Sequence, residues 1–282
     1  MRKKYKALVL FAVIAALVVS NCLAPLTIAG AARSEKVLIL ATTTSTKDTG
    51  LLDYLLPIFK KKTGITVKSI AVGSGQALTM GQRGDADVLL VHSPAQEKTF
   101  MSKGYGKTRK DVMYNYFVII GPKNDPAKVK TAPDALTAFK RIAAAKAKFV
   151  SRGDNSGTNT KELGFWKAAG ATPSGSWYMK TGQGMAATIR IANEKNAYTL
   201  TDEGTYLVQK KSISLELLLK KTKDLKNQYG VITVNPAKHS FVNYNGAVRF
   251  SDFLTSREGQ RLIGSYGTKK YGKTLFVPNA KK

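Results

Sequence analysis

The sequence predicts an α/β protein: two doubly wound α/β domains with a ligand cleft between them. Three observations carry that expectation. Short apolar runs alternate with longer amphipathic stretches, the pattern of a largely parallel sheet covered by helices. Several short runs end in loops rich in Gly, Ser and Thr, at the strand ends where such sheets hold their ligands. The alternation restarts after Gly121-Pro122, so the chain leaves one unit, builds a second and returns.

Taken in order, residues 37–40 form a strand. Leu51, Leu52, Leu55, Leu56 and Phe59 then recur at helical spacing, with Pro57 expected to kink their helix. Strands are predicted at 65–72, 88–91 and 116–120, and helices at 76–82 and 94–101. In the second unit, helices are predicted at 133–146, 160–169, 185–193 and 204–209, and strands at 148–151, 198–200 and 231–234. Helical stretches at 242–254 and 258–263 return to the first unit. Crossings near 120 and 235 divide the chain into domain I (36–120 and 236–282) and domain II (121–235), a layout suited to hinge closure on a ligand.

Residues 1–31 read as an export signal. Arg2, Lys3, Lys4 and Lys6 form a basic start, residues 8–19 an apolar core, and Ala29-Gly30-Ala31 a small-x-small cleavage site. The apolar run is too short to be read as a membrane span. A periplasmic or other extracytoplasmic location follows. Cys22 offers a variant, a lipid anchor, although Asn21 stands where a small residue is usual. With Cys22 lost, no thiolate metal site or disulfide is available, and His92 and His239 are the only histidines, so neither a metal centre nor a cofactor is expected.

The formal net charge is +27, and removing the four cations of the signal leaves +23. Such a field attracts anions: nucleic acid, an anionic membrane surface or a small oxyanion. The lysines are spread along the chain, and no basic-aromatic-basic cluster of the single-strand binders occurs, so nucleic acid is not the expected partner.

Ser151-Arg152-Gly153-Asp154-Asn155-Ser156-Gly157-Thr158 lies between a strand and a helix. It brings a guanidinium, two hydroxyls and free backbone N–H groups to a helix N-terminus, the chemistry that binds a small oxyanion. Asp154 is read as the group orienting Arg152. Thr43, Thr44 and Ser45 after the first strand, and Ser74 between Gly73 and Gly75 after the second, supply further donors. Ser74 lacks the G-x-S-x-G spacing of a hydrolase nucleophile. Gly182-Gln183-Gly184-Met185-Ala186-Ala187 matches a dinucleotide fingerprint but follows no first strand, and is read as a glycine loop opening a helix at the cleft. His92 is read as a structural histidine, and Tyr114, Tyr116, Phe117, Trp166, Trp177 and Tyr178 mainly as core and domain-contact residues.

The ordered set ATTTST, VGSGQAL, GDADVLLVHSP, SRGDNSGT, KTGQGMAAT, AYTLTDEGTY and YGVITVNPAKH resembles the tungstate-binding, substrate-binding proteins of ABC transporters, from about Lys36 to Pro278. The resemblance implies a type II periplasmic binding fold, tungstate as ligand, an ABC permease in the cytoplasmic membrane as partner, and no enzymatic activity. It implies that Thr43, Thr44, Ser45, Ser74, Arg152, Ser156, Gly157 and Thr158 ring the oxyanion. The chain departs from the family pattern at Asn159, where histidine is common, and at Ser93-Pro94, where an alanine–basic pair is frequent. A monomer is expected.

Tungstate and molybdate are acceptors only at neutral pH, so their ideal site offers donors only. Hydrogen phosphate carries a proton and needs an acceptor. Phosphate binders align an aspartate after the third strand; here that stretch reads Val88-Leu89-Leu90-Val91-His92-Ser93. Weak phosphate binding is therefore expected. Molybdate stands next to tungstate as alternative ligand, with sulfate and phosphate behind. The alternatives from other classes are a secreted cationic protein, whose affinity would fall steeply with salt, and an exported hydrolase using Ser74.

Overall fold

The computed structural model describes residues 34–281; the export segment and Cys22 lie outside them. Strand β1 (Val37–Thr43) leads into the short helix α1 (Thr44–Asp48) and then α2 (Leu51–Thr63), which is bounded by left-handed Gly50 and Gly64. Pro57 sits inside α2 without ending it, while Leu51, Leu52, Leu55 and Phe59 face the core. Strand β2 (Thr66–Val72), α3 (Ser74–Arg83), β3 (Val88–Val91) and α4 (Pro94–Ser102) follow. β1 is the centre of a parallel trio, paired to β2 on one side and β3 on the other.

β4 (Gly106–Gly121) runs for 16 residues. After it come α5 (Ala135–Ala144), β5 (Phe149–Ser151), α6 (Gly157–Ala168), β6 (Tyr178–Lys180), α7 (Met185–Glu194), β7 (Thr199–Asp202), α8 (Glu203–Gln209) and β8 (Glu216–Lys220). β9 (Lys226–Val234), α9 (Tyr244–Thr255), α10 (Arg257–Ser265) and a short β10 (Val277–Pro278) close the fold. The first part of β4 pairs with β9 as far as Tyr116↔Lys226; from Phe117 onward it pairs with β7 and β8. One strand thus serves two sheet regions and changes partner between Tyr116 and Phe117.

Two buried groups flank the first region. Leu38, Leu40, Phe59, Val88, Phe250 and Ile263 lie on one face, and Ala77, Leu89, Phe100 and Ile232 on the other. Phe250, with no exposed surface, meets Phe59 edge-on at 5.2 Å between ring centres; truncation to alanine there costs about 3–5 kcal/mol. The second region has its own groups, one around Phe139, Phe149 and Trp166 and one around Val118, Met185 and Ile189. The aromatics expected in the core divide accordingly: Phe117, Trp166 and Tyr178 are buried, Tyr116 and Trp177 are partly so.

The α/β class and the alternation match the expectation, but the sheet is mixed. β3–β9, β4–β9, β4–β7, β4–β8 and β4–β10 are all antiparallel. Residues 231–234, expected in the second unit, lie within β9 between β3 and β4. The returning crossing therefore falls at Lys226, not near 235: the chain re-enters the first sheet as soon as it leaves the second. An apolar run of four residues shows that a strand is buried, but not in which sheet or direction.

Candidate oxyanion site

Three strand ends and three helix starts build the site. β1 ends at Thr43, whose Oγ1 accepts from the Thr46 N–H at 3.2 Å and so caps α1. β2 delivers Gly73, the extended residue before α3, which begins at Ser74. β5 delivers Arg152. Gly153 (φ 62°) and Asn155 (φ 56°) then turn the chain through left-handed conformations, and Ser156 caps α6 by accepting from the Asn159 N–H at 3.2 Å. A side chain at Gly153 would lie 2.8 Å from the Lys180 Cβ, so this turn needs glycine for space as well as for φ. Capping uses a hydroxyl lone pair; the hydrogens of Thr43 and Ser156 stay free to donate.

The loops meet closely. A Cβ on Gly157 would stand 2.7 Å from the His92 carbonyl oxygen and 3.0 Å from Ser74 Oγ; one on Gly73 would stand 3.3 Å from the Ser156 Cα. Arg152, 2% exposed, donates from Nη2 to Asp154 Oδ2 at 2.5 Å and to Thr44 Oγ1 at 3.3 Å. Asp154 Oδ1 accepts from the Ser156 N–H at 3.2 Å, so one carboxylate holds both the guanidinium and the loop. All the residues expected at the site are thereby gathered where β1, β2 and β5 end.

Three donors in this cluster, Ser74 Oγ, Thr158 Oγ1 and Arg152 Nε, are buried and have no partner among the described residues. A buried donor left unpaired costs about 1–3 kcal/mol, and native proteins avoid it. Three at one place make a site for an acceptor with several oxygens.

His92 belongs to the same cluster, which its reading as a structural histidine did not anticipate. Its Nε2 lies 3.1 Å from Ser45 Oγ and 3.2 Å from Thr43 Oγ1, and its Nδ1 lies 3.0 Å from Asn227 Oδ1. Burial, then the nearby Arg152 charge, lowers its pKa to about 4, so the ring is neutral at pH 7. Two carboxyls stand in the field of Arg152 without bonding it. Burial raises the pKa of Asp48, with Arg152 among the charges opposing the shift. Burial likewise raises that of Asp202, which accepts from the Thr205 N–H and hydroxyl at 2.8 and 2.7 Å.

Beneath the arginine loop lies a carboxylate with no sequence signal beyond its position in α6. Glu162 accepts from the Ser151 hydroxyl (2.6 Å), the Trp166 indole (2.9 Å) and the Tyr178 phenol (2.7 Å). Burial raises its pKa against these bonds. Asn159 is turned into the same scaffold, donating to Ser151 Oγ at 3.3 Å and accepting from the Asn155 N–H at 3.1 Å. Gly184 packs against Thr44, and a cavity of about 440 Å³ lined by Thr44, Gly73, Arg152, Asp154, Gly182 and Gly184 opens beside the site, as the glycine-loop reading expected. A larger cavity of about 470 Å³ lies past His92, walled by Phe117, Phe165, Lys161 and Lys226; it contains neither Arg152 nor an unpaired buried donor. After β3, the nearby carboxylate Glu97 is already engaged by the Ser93 N–H and by Arg109 Nε, each at 2.8 Å. Among the described residues, no group of three or more His, Cys, Asp or Glu is placed to hold a metal ion.

Two α/β regions sharing strand β4, with hydroxyls, helix starts and an arginine gathered between them, define a solute-binding protein. The PBP superfamily domain matches residues 30–258. A tungstate-binding protein, TupA, of Peptoclostridium acidaminophilum is 53% identical over 247 residues, spanning 87% of this chain and 86% of that one. A TupA of Campylobacter jejuni is 44% identical, spanning 84% and 89%. Among solved structures, the tungstate ABC transporter structure from Geobacter sulfurreducens superposes with a TM-score of 0.76 at 49% identity, covering 83% of this chain and all (100%) of that one. The tungstate-binding protein TupA from Desulfovibrio alaskensis gives 0.74 at 48%, covering 87% and 99%. The chain belongs to the PBP superfamily and, within it, to the family of tungstate-binding proteins of ABC transporters.

Proposed function

We propose that this protein is an exported receptor that binds tungstate between its two α/β regions and presents it to an ABC permease, and that it is not an enzyme. The observation that carries the reading is the trio of buried, unpartnered donors, Ser74 Oγ, Thr158 Oγ1 and Arg152 Nε, gathered beside the hydroxyls of Thr43, Thr44, Ser45 and Ser156. Arg152 supplies charge and planar geometry; Ser156, Gly157 and Thr158 add the positive end of α6. Asp154 holds the guanidinium and leaves Nε for the guest. The guest is a dianion that accepts from every side, with molybdate as the alternative ligand.

Binding stabilises the closed arrangement in which Gly157 meets His92 and Thr44 meets Arg152, and that form is what the permease recognises. Domain I is then 36–116 with 226–281, and domain II the stretch between, hinged where β4 changes partner. The protein acts outside the cytoplasm, after removal of residues 1–31, as a monomer.

Thermal melting against a panel of oxyanions tests the reading. Tungstate at a thousand times its dissociation constant adds about 4 kcal/mol to stability. Phosphate at the same concentration leaves the melting point in place, because the carboxylate that follows β3, Glu97, is already engaged by the Ser93 N–H and Arg109 and is not offered to its proton. Calorimetry showing phosphate bound as tightly as tungstate overturns the donor-only site. A melting point that follows total salt and not ligand identity favours a diffuse cationic surface instead.

A further inference from the structure

The cavity of about 470 Å³ past His92 has walls from both α/β regions. His92, Pro94 and Lys226 come from the first region, and Phe117 with one face of α6 from the second. That face is regular: residues 157, 160, 161, 164, 165 and 168 recur at three- and four-residue steps along the helix. Its aromatic wall is buried, with Phe117 2% and Phe165 7% exposed. The volume is that of a small-molecule site and exceeds what a tetrahedral oxyanion fills.

The charge of the wall is one-sided. Lys161 and Lys226 line the cavity, and no Asp or Glu does. Among the described residues neither lysine forms an ion pair. The Lys161 ammonium lies 5.0 Å from the centre of the Phe165 ring, and that of Lys226 4.4 Å from the centre of the Tyr114 ring. Burial lowers the Lys161 pKa; the charge opposing the shift is Asp224, which already accepts from the Ala135 and Leu136 N–H groups at 3.0 and 3.3 Å. The Asn227 amide, also in the wall, is engaged: Nδ2 donates to Asn115 Oδ1 at 2.8 Å, and Oδ1 lies 3.0 Å from His92 Nδ1. The two cations are what the wall offers a charged guest.

Gly164 stands at the mouth, exposed. It lies inside α6, where glycine is less stable than alanine. Yet its φ is not positive, and a Cβ there would have nothing within 4 Å. Neither backbone nor packing asks for glycine; the missing side chain leaves room at the entrance.

We propose that this cavity is a second ligand site, for an organic anion with a flat apolar body: an aromatic carboxylate. The ring lies against Phe117 and Phe165, and the carboxylate meets Lys161, with Lys226 at the mouth. The cavity shares His92 and Gly157 with the arginine cluster but not Arg152, Ser74 or Thr158, so the two guests occupy separate spaces. The inference goes beyond the oxyanion reading and does not depend on it.

Calorimetric titration of the exported chain with 2-naphthoate, and with 2-naphthamide as its uncharged counterpart, tests it. Naphthoate binds one per chain with a dissociation constant of about 1 mM or tighter, the yield of a ligand of that size. Naphthamide binds about tenfold more weakly, lacking the charged contact. Lys161→Met keeps the apolar stem and removes the charge; it weakens naphthoate about tenfold and leaves naphthamide in place, so the two become equal. Gly164→Leu/Ala168→Leu fills the entrance and abolishes naphthoate binding, while its tungstate titration is unchanged. Arg152→Ala binds naphthoate as the wild type does.

No saturable naphthoate binding below about 10 mM overturns the proposal. So does equal affinity of the wild type for acid and amide, or wild-type naphthoate affinity in Lys161→Met or in the filled variant. Loss of naphthoate binding in Arg152→Ala puts the probe in the oxyanion site and overturns the second one. If the filled variant does not fold, Lys161→Met still decides. A wild-type chain that binds naphthoate in this way but no tungstate upholds the cavity site and overturns the oxyanion reading alone.

Discussion

Gly157 is where the proposed closure is most sensitive to a single atom group. Adding one methyl, Gly157→Ala, places a carbon 2.7 Å from the His92 carbonyl oxygen, 3.0 Å from Ser74 Oγ and 3.1 Å from His92 Nδ1, where ordinary contact begins at 3.4 Å. The carbonyl is backbone and cannot rotate away. Overpacking of this kind costs about 1–3 kcal/mol. If the cost falls only on the closed form, affinity for tungstate drops about 5- to 140-fold, at a factor of ten per 1.4 kcal/mol. The ligand-free protein responds oppositely. Position 157 opens α6 with helical backbone, and Gly→Ala at a compatible position stabilises by about 0.4–1 kcal/mol through the unfolded chain. The assay is calorimetric titration with tungstate beside thermal melting without it. The expected pair of results is a large loss of affinity with an unchanged or raised melting temperature. Unchanged affinity would refute the closure argument. So would a parallel fall of affinity and melting temperature, which would make the Gly157 contact permanent packing.

Two further outcomes follow from the same geometry. Arg152→Ala removes one partner of a buried charged pair and leaves Asp154 facing the guest; binding should weaken by about 2–5 kcal/mol, and a titration indistinguishable from wild type would remove Arg152 from the site. His92 makes stability depend on pH in a defined direction. Its folded pKa of about 4 lies below the ordinary 6.5, so the unfolded chain binds the extra proton first. Its contribution is fully present above pH 6.5 and is lost as pH falls toward 4, about 3 kcal/mol in all. Urea unfolding from pH 7.5 down to pH 4 should show this fall in wild type and not in His92→Gln; parallel curves would contradict the buried neutral ring.

The sequence made the site more legible than the sheet. Arg152, Ser156 and Thr158 could be read because their chemistry is local: a strand, a left-handed turn and a helix cap in eight consecutive residues. The start of β4 could not. Gly106–Asp111 reads Gly-Lys-Thr-Arg-Lys-Asp, and its polar pattern hides a strand that β9 completes from more than a hundred residues away. The two-residue β10 lies below any pattern length, and in β8 the run Leu217, Leu218 and Leu219 is too short to tell a buried strand from a piece of helix. Asn115, Asn227 and Glu162 had no signal at all, because a buried amide or carboxylate declares its role only through the partners the fold brings to it. His92 was visible as a residue after a strand, but the hydroxyls it faces belong to another strand's end.

Ser156 and Thr43 answer to two sets of rules at once. As starters of helices, serine, threonine, aspartate and asparagine are nearly interchangeable, and aspartate is among the best. As the proposed neighbours of a dianion they are not: a carboxylate would still start the helix well, but would set negative charge against negative charge and bring no hydrogen. A redesign of this chain guided by stability alone could therefore select Ser156→Asp, gain a sound helix, and lose the cargo.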